Sequence, residues 1–482
     1  MQTDRTTINI FSIAIGQFSS LIINFFTVTL TARYLGVEDY GNYNYLLSIV
    51  FIASRLTDLG LSNIVFRESS KHPNNFTELN LAISIRFVLF FIIGLILNII
   101  LFFFLKFDPT KLVLTNIFYL ATIFSSRFMI YRDLMDIPFE VNLQMLYSNL
   151  FSNLDNLFFL IMILLMPYTG ISVKYVIITF VLSSIPGFLY SIYFLKKKHN
   201  FSYKPNLSRA KWIIKESLPL AGFLVFISIF NQIDIFLLSL FDSKYSAGIY
   251  AVASRLVIPI TILPTAIGTT FFPKVVSNFS EKNDNSFIYN LINKILFIFS
   301  ISLSLIMTFK AESIITTLFG VQYSQSSLPM ISLVWSCIFL FFCYISLDFF
   351  TADGKQAINL IFSVLVVVIT IVLLLIFIPK YSYNAAGLTK LFVSIIGTIF
   401  VVSNLKRLNI KLDFIRTNSI IWFIFNLLSC YLVAFLPLIL YLFFSSAILA
   451  LSAFKLNYFS ELEIKTILQK INKEKWGRIF IQ

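Results

Sequence analysis

The sequence predicts an all-α integral membrane protein, and three observations support that prediction. Of the 482 residues, 58% are hydrophobic and only 12% are charged, a balance far outside that of soluble globular domains. The mean hydropathy is +0.86. Apolar stretches long enough to cross a hydrocarbon core about 30 Å thick recur along almost the whole chain.

These stretches predict about fourteen transmembrane helices of roughly 20 residues each. The first twelve are expected at 9–32, 41–66, 80–105, 112–131, 142–166, 172–195, 213–240, 246–272, 287–309, 328–350, 357–378 and 384–405. The last apolar stretch fits two short helices, 417–436 and 437–455, or one long broken helix. The first run has no small-residue cleavage site, so a retained helix is expected there rather than a signal peptide.

The charge distribution predicts the orientation in the membrane. The net charge is +14, and most of the 37 Lys and Arg residues fall in loops on the same side as the two termini. The positive-inside rule therefore places both termini in the cytoplasm. Attraction to anionic lipid head groups accounts for this charge, so no nucleic acid partner is expected. The three cysteines and two histidines do not have the spacing of disulfides or metal ligands.

A weak internal repeat indicates two lobes. One shift in register places Asn24 on Asn231, Gly41 on Gly248 and Tyr43 on Tyr250. The basic segment 196–215 lies where two groups of six helices would need a linker. We predict an N-lobe at 1–200, a C-lobe at 201–410, and two C-terminal helices with a cytoplasmic tail at 411–482.

Polar residues recur at helical spacing in four of the predicted helices. They are Gln17, Ser20, Asn24, Thr27 and Thr31 in the first; Asn44, Ser48, Arg55, Asp58 and Ser62 in the second; Ser228, Asn231 and Asp234 in the seventh; and Tyr250, Ser254, Thr261 and Thr265 in the eighth, with Arg255 beside them. A charge at the bilayer centre costs roughly 2.5–3.5 kcal/mol. These faces are therefore expected to contact protein or water rather than lipid.

The charges on these faces allow two interpretations. Arg55 and Asp58 are three residues apart, so they can form an ion pair that fixes helix packing, or they can line a hydrated translocation path as a cation with a nearby carboxylate. Arg255 has no acidic residue within a helical turn. It is available to an anionic ligand, or it can extend to the membrane surface.

Other charged residues fall inside the predicted spans. Asp155 lies in a band formed by Asn149, Ser152, Asn153 and Asn156. It is a candidate for proton or sodium coupling, and the alternative is a hydrogen bond to a neighbouring helix. Arg86 and Arg127 are expected to reach lipid head groups from the ends of their spans.

Three segments resemble the polysaccharide repeat-unit flippases of the multidrug/oligosaccharidyl-lipid/polysaccharide exporter superfamily. The first is "RYLGVEDYGNYNYLLSIVFIASRLTDLGLSNIVFRE" at 33–68, in which the matching residues are Arg33, Leu35, Gly36, Asp39, Tyr40, Gly41, Tyr43, Asp58, Gly60, Leu61 and Arg67. The others are 217–273 and "FGVQYSQSSLPM" at 319–330. The resemblance covers essentially the whole chain, although the last two predicted helices are shorter than in the family.

The resemblance implies a flippase that moves an oligosaccharide on undecaprenyl or a similar polyisoprenyl pyrophosphate to the outer leaflet of a bacterial inner membrane. The product would enter O-antigen of lipopolysaccharide, or capsule. Arg55 and Arg255 would attract the pyrophosphate, and the cleft would include Asp58, Asp234, Asn24, Asn231 and Gln17. Membrane lipids, a polysaccharide polymerase and a chain-length regulator are the implied partners. No cofactor is expected beyond a coupling proton or sodium ion.

Two alternative functions remain open. A drug or small-molecule exporter of the same superfamily would share the fold, but the buried arginines favour anionic cargo. A membrane glycosyltransferase or polymerase would need a catalytic site in an external loop. Its best support is the pair Glu38 and Asp39, and no external loop is large enough to hold a sugar acceptor.

Overall fold

The computed structural model describes residues 2–71, 76–128, 130–142, 144–199, 201–204, 207–413, 417–455 and 458. Within these residues the secondary structure is helical, without a strand, and this confirms the all-α prediction. The predicted cytoplasmic tail beyond Lys455 lies outside the described residues except for Tyr458.

The described residues form seventeen α-helices, which are numbered here in chain order. The first nine are α1 (Gln2–Asp58), α2 (Leu61–Lys71), α3 (Thr77–Ile99), α4 (Pro109–Phe124), α5 (Tyr131–Val141), α6 (Met145–Thr169), α7 (Val173–His199), α8 (Ala210–Phe241) and α9 (Lys244–Val257). The others are α10 (Ile262–Ser280), α11 (Ser286–Phe309), α12 (Ala311–Phe319), α13 (Ser327–Ala352), α14 (Gln356–Tyr381), α15 (Tyr383–Leu405), α16 (Thr417–Val433) and α17 (Leu438–Lys455).

The lengths and composition of these helices confirm a multi-pass membrane protein. Ten helical stretches of the described chain are long and apolar enough to cross a membrane, and three shorter apolar helices accompany them. The first stretch, Gly16–Asp58, covers most of the first two predicted spans, 9–32 and 41–66. Gly36 breaks α1 between these spans, with φ 76° and ψ 176°. The exact number of crossings and the side on which the termini lie stay predictions.

Two predicted boundaries are wrong. The second predicted span, 41–66, ends at Asp58, because Leu59 and Gly60 both take left-handed φ values, 46° and 66°. The fourth, 112–131, is a broken helix. After Phe124 the chain passes through an extended Ser125 and a 3₁₀ turn, Ser126–Phe128, before α5 begins. Irregular backbone at membrane depth is tolerated only where protein or water satisfies its polar groups.

The chain divides into two compact units, each described here separately. Unit 1 comprises Met1–Arg255, Leu318–Tyr323 and Asn359–Ala386, and unit 2 comprises Leu256–Thr317, Ser324–Ile358 and Gly387–Gln482. Unit 1 thus contains α8 and most of α9 together with the first seven helices. The division into an N-lobe, a C-lobe and a C-terminal pair stays a prediction.

Each unit has its own apolar core. In unit 1 a cluster built on Leu134 and Phe139 of α5 joins α2, α3, α6 and α7. In unit 2 the fully buried Trp422 of α16 packs with Leu305 of α11 and Leu449 of α17. The C-terminal helices are therefore held against unit 2 by the same burial of apolar surface that drives packing elsewhere.

Candidate functional site

A charged cluster lies at the end of the second half of α1. Arg86 of α3 donates to Asp58 Oδ1, to the Ile130 carbonyl and, at 2.8 Å, to Ser62 Oγ. Arg55 Nη1 lies 3.9 Å from Asp58 Oδ2. The Arg86 side chain is 0% exposed, whereas that of Arg55 is 19% exposed. Asp58 is therefore held mainly by Arg86, and Arg55 is the cation of this cluster with an accessible surface.

The expectation that Arg86 and Arg127 reach lipid head groups is wrong. Arg86 is fully buried, and it donates to the carbonyl of Ile130, which lies in the break between α4 and α5. The Arg127 guanidinium lies 4.7 Å and 4.6 Å from the ring centroids of Phe159 and Phe180. Its Nη2 donates to the Asp155 carbonyl at 2.8 Å. Both arginines stabilise the broken fourth span from within the protein.

Asp155 is also bound to this break. Its Oδ2 accepts from Ser126 Oγ at 2.9 Å, and its side chain is fully buried. The carboxylate lies against Gly187 of α7, where an added Cβ would overlap Oδ1 and lie 2.7 Å from the Phe151 carbonyl oxygen. Oδ1 has no hydrogen-bond partner among the residues that the structure describes. One carboxylate oxygen thus anchors the break and the other remains available.

A second polar group lies along the second half of α1, and it includes Arg255 of α9. Its Nη2 donates to Asn44 Oδ1 at 3.1 Å, and Asn44 Nδ2 donates to the Tyr40 carbonyl at 2.8 Å. Asn44 and Arg55 are eleven residues apart, so they lie on the same face of the helix and roughly 16 Å apart along its axis. This face therefore has an arginine near each end, one at Arg55 and one recruited from α9.

The other predicted site residues occupy different surroundings. Asp234 is buried, and its Oδ2 accepts from the Tyr250 hydroxyl at 3.0 Å. Asn24 and Asn231 are half-buried, and Gln17 is exposed. Asn24 Nδ2 and Asn156 Nδ2 of α6 both donate to Ser20 Oγ, at 3.5 Å and 2.9 Å. The structure thus brings Arg255 to Asn44 and Asp58 to Arg86, and it pairs Asp234 with a tyrosine.

The two glycines that the repeat aligns are in direct contact. A Cβ added to Gly41 would overlap the Lys244 carbonyl oxygen and lie 2.8 Å from the Gly248 nitrogen. A Cβ on Gly248 would in turn overlap the Val37 carbonyl oxygen. Equivalent residues meet where a pseudo-two-fold axis passes between two repeats. The start of α9 is therefore packed backbone to backbone on the second half of α1.

Further contacts in unit 1 hold the middle of α1, near its break at Gly36. The Tyr323 hydroxyl donates to the Ala32 carbonyl at 2.9 Å, and Arg33 Nε donates to the Leu318 carbonyl at 2.7 Å. Tyr40 packs edge to face on Tyr323 at 6.3 Å. The positive-inside rule predicts that this part of α1 is external. The contacts pack it there against residues 318–323, which are distant in sequence.

An acidic group on α5 was not predicted from the sequence. Arg132, expected in a loop, is 1% exposed, and its guanidinium nitrogens have no hydrogen-bond partner within the described chain. Burial raises the pKa of Asp136 to about 6 against the lowering effect of Arg132. Burial, assisted by Asp136 and Asp133, raises the pKa of Glu140 to about 7. The spacing of these residues on a helix is visible in the sequence, but their burial is not.

The raised pKa of Glu140 predicts a pH-dependent stability. Because the folded protein binds this proton more tightly than the unfolded chain, the free energy of unfolding falls as pH rises from about 4.5 to about 7. Glu140→Gln should therefore raise the melting temperature at pH 8, by removing a cost of about 1–3 kcal/mol, and change it little at pH 5. The exposed Glu312→Gln is the control. Equal pH profiles for the two variants would contradict this prediction.

Comparison with known proteins gives the family. Residues 7–279 match the family described as "Polysaccharide biosynthesis protein". The chain belongs to this family. The capsular polysaccharide biosynthesis protein CapF of Staphylococcus aureus is 21% identical over 387 residues, covering 78% of this chain and 93% of CapF. The family match includes Arg55, Asp58, Arg86, Asp155 and Arg255.

Solved structures of membrane transporters share the fold. The lipid II flippase MurJ, in an inward closed conformation, has a TM-score of 0.70 at 19% identity, covering 92% of this chain and 98% of MurJ. The MATE transporter VcmN of Vibrio cholerae has a TM-score of 0.57 at 13% identity, covering 84% of this chain and 97% of VcmN. The family match confirms the predicted polysaccharide biosynthesis family, and these two structures show that the chain shares their fold.

Proposed function

We propose that this protein is a flippase that moves a polyisoprenyl-pyrophosphate-linked oligosaccharide from the inner to the outer leaflet of a bacterial inner membrane. The transported unit would be used in surface polysaccharide synthesis, as O-antigen or capsule. One observation supports the proposal above the others: one polar face of α1 carries Arg55 near one end and, near the other, Asn44 with Arg255 of α9 bound to it. The family match, the name of the Staphylococcus aureus relative and the fold shared with a lipid II flippase agree with it.

The chemistry of these arginines suits a pyrophosphate. A guanidinium is always charged and can donate two parallel hydrogen bonds to phosphate oxygens. Arg255 donates to the neutral Asn44, so this contact does not cancel its charge. The amides of Gln17, Asn24 and Asn231 would bind sugar hydroxyls, with Asp58 and Asp234 holding the positions of Arg86 and Tyr250.

In the proposed mechanism the two predicted lobes move relative to one another, as in other transporters built from repeats. The pyrophosphate would bind one arginine and then the other along the polar face of α1, while the lipid tail stays in the bilayer. The contact between Gly41 and Gly248 would close the external end during loading. A polymerase and a chain-length regulator would take the unit after its release.

Loss of the arginines should stop export. Arg55→Ala and Arg255→Ala are each expected to reduce surface polysaccharide about 10- to 100-fold, because a hydrogen bond to a charged group contributes about 1.5–3 kcal/mol. The measurement is immunodetection of surface polymer in cells lacking the natural gene, at matched protein levels. Lys174→Ala, on an exposed lysine, is the control. Normal polymer display with both arginine variants would refute the proposed contacts.

We also propose that Asp155 binds the coupling proton or sodium ion. Its complete burial and the available Oδ1 support this role. Asp155→Asn keeps the hydrogen bond from Ser126 but removes the charge, so transport should become insensitive to collapse of the ion gradient. Uptake into sealed vesicles, with and without a protonophore or sodium ionophore, measures this. A variant that responds to the ionophores as the wild type does would exclude the coupling role.

The charge of the transported molecule distinguishes the proposed flippase from a drug exporter. MATE transporters share the fold, so the fold itself does not decide between them. An exporter of cationic drugs would keep its resistance phenotype in Arg55→Ala, and would not restore polymer in a flippase-deficient strain. A membrane glycosyltransferase would instead turn over lipid-linked sugar in detergent, where a flippase has no leaflets to connect.

A further inference from the structure

A cavity of about 290 Å³ lies within unit 2, apart from the polar face of α1. Residues of α11, α13 and α15 line it, together with Leu412 and Asp413. Its apolar lining consists of Leu296, Phe297, Ile338, Phe339, Phe341, Phe342, Val402 and Leu412. This volume lies just below the usual range of ligand pockets, roughly 300–1,000 Å³.

The polar groups of the lining do not point to a polar ligand. Thr398 Oγ1 donates to the Ser394 carbonyl of its own helix at 2.9 Å. Asn293 Nδ2 donates to the Tyr289 carbonyl, also within its own helix, at 2.9 Å. Apart from these two residues and Asp413, the lining is aromatic and aliphatic, so a sugar or phosphate inside the cavity would meet mainly carbon. A hydrocarbon chain suits this interior.

The segment that contributes Leu412 to the lining is fixed in place and lies next to exposed cations. Asn290 Nδ2 donates to the Lys411 carbonyl at 2.7 Å, and the Lys411 nitrogen donates to Ser286 Oγ at 3.0 Å, so this segment is fastened to α11. Lys411 precedes the lining residue Leu412, and Lys406 follows Val402 by one helical turn. Both lysines are exposed, as is Arg407.

We propose that this cavity binds one acyl chain of an anionic glycerophospholipid, whose phosphate is held by Lys406, Arg407 and Lys411. Basic groups at the cytoplasmic ends of transmembrane helices attract anionic head groups, and this end of α15 is predicted to be cytoplasmic. The cavity is too small to enclose the long chain of a polyisoprenyl lipid. The site is therefore distinct from the path proposed for the transported substrate.

Lipid retention by the purified full-length protein tests the site. The wild type in nanodiscs of phosphatidylcholine with phosphatidylglycerol should retain phosphatidylglycerol, measured by native mass spectrometry after transfer to detergent. Thr398→Trp fills the cavity and should weaken retention at least about tenfold. Ile399→Trp adds the same ring to the next residue of α15, which is 64% exposed, and should retain the lipid as the wild type does.

A second variant tests the head-group contacts without altering the interior. Lys406→Glu combined with Lys411→Glu should lose the preference for phosphatidylglycerol over phosphatidylcholine. Equal retention by Thr398→Trp and Ile399→Trp would overturn the cavity as the site, and an unchanged preference in the double variant would overturn the role of the lysines. Displacement of phosphatidylglycerol from the wild type by equimolar polyisoprenyl phosphate would assign the cavity to the transported lipid and overturn the phospholipid proposal.

Discussion

Gly41→Ala is expected to abolish polysaccharide export. The new methyl group would overlap the Lys244 carbonyl oxygen and lie 2.8 Å from the Gly248 nitrogen, and these are backbone atoms that cannot rotate away. The start of α9 would have to separate from the second half of α1. Protein packing is too dense to absorb such a shift locally, so the external closure required for alternating access would fail. Surface polymer should fall about 100-fold or more, as measured in cells at matched protein levels.

The control for Gly41→Ala is another helical glycine in unit 1. At Gly222 an added Cβ would lie 2.9 Å from Leu360 Cδ1, the end of a flexible side chain, so Gly222→Ala should retain most activity. Gly248→Ala should reproduce the defect, and the double variant should be no worse than either single one, because both act on one contact. Full export by Gly41→Ala would show that the contact is not needed for closure.

Arg86→Ala is expected to cause the largest loss of stability. The substitution removes one buried donor from each of Asp58, Ser62 Oγ and the Ile130 carbonyl. Removing one partner of a buried ion pair costs about 3–5 kcal/mol. We expect less folded protein, a melting temperature in detergent lowered by about 6–20 °C at roughly 2–4 °C per kcal/mol, and partial recovery in Arg86→Lys.

An exposed ion pair gives the comparison for Arg86. Arg67 Nη1 lies 3.1 Å from Glu216 Oε1, but both side chains are more than 40% exposed. Arg67→Ala should therefore cost at most about 1 kcal/mol. Similar melting temperatures for Arg67→Ala and Arg86→Ala would mean that the cluster at the break between α4 and α5 does not stabilise the protein.

The sequence was sufficient to predict the fold class and the approximate helix positions. The length and composition of the apolar stretches determine the fold class and the helix positions, and tertiary contacts change them little. Of the two boundary errors, the end of the second span reflects the left-handed backbone of Leu59 and Gly60, and the break in the fourth lies where side chains of other helices contact it. The fourth span looks continuous because "TIFSSRFMIY" contains no proline or glycine. Arg86 and Asp155 contact this break from other helices, and Arg127, within the break, donates to the Asp155 carbonyl.

The candidate site was only partly predictable. Helical spacing placed Arg55, Asp58 and Asn44 on one face, and the structure agrees. Spacing reveals only partners within a few residues, so it could not show that Asp58 binds Arg86 or that Arg255 binds Asn44, 211 positions away. The repeat aligned Gly41 with Gly248, yet their mutual contact required the folded structure. The buried acidic group of α5 could not be predicted either, because a charged segment between two predicted spans resembles an exposed loop.

Transport in sealed proteoliposomes tests the central claim most directly. The purified protein would be given a fluorescent oligosaccharide on polyisoprenyl pyrophosphate in one leaflet, with appearance in the other leaflet followed by quenching. Wild type should move this lipid and leave a matched uncharged glycolipid in place. The double variant Arg55→Ala/Arg255→Ala should move neither. Movement of the pyrophosphate lipid by the double variant at the wild-type rate would contradict the cationic path along α1.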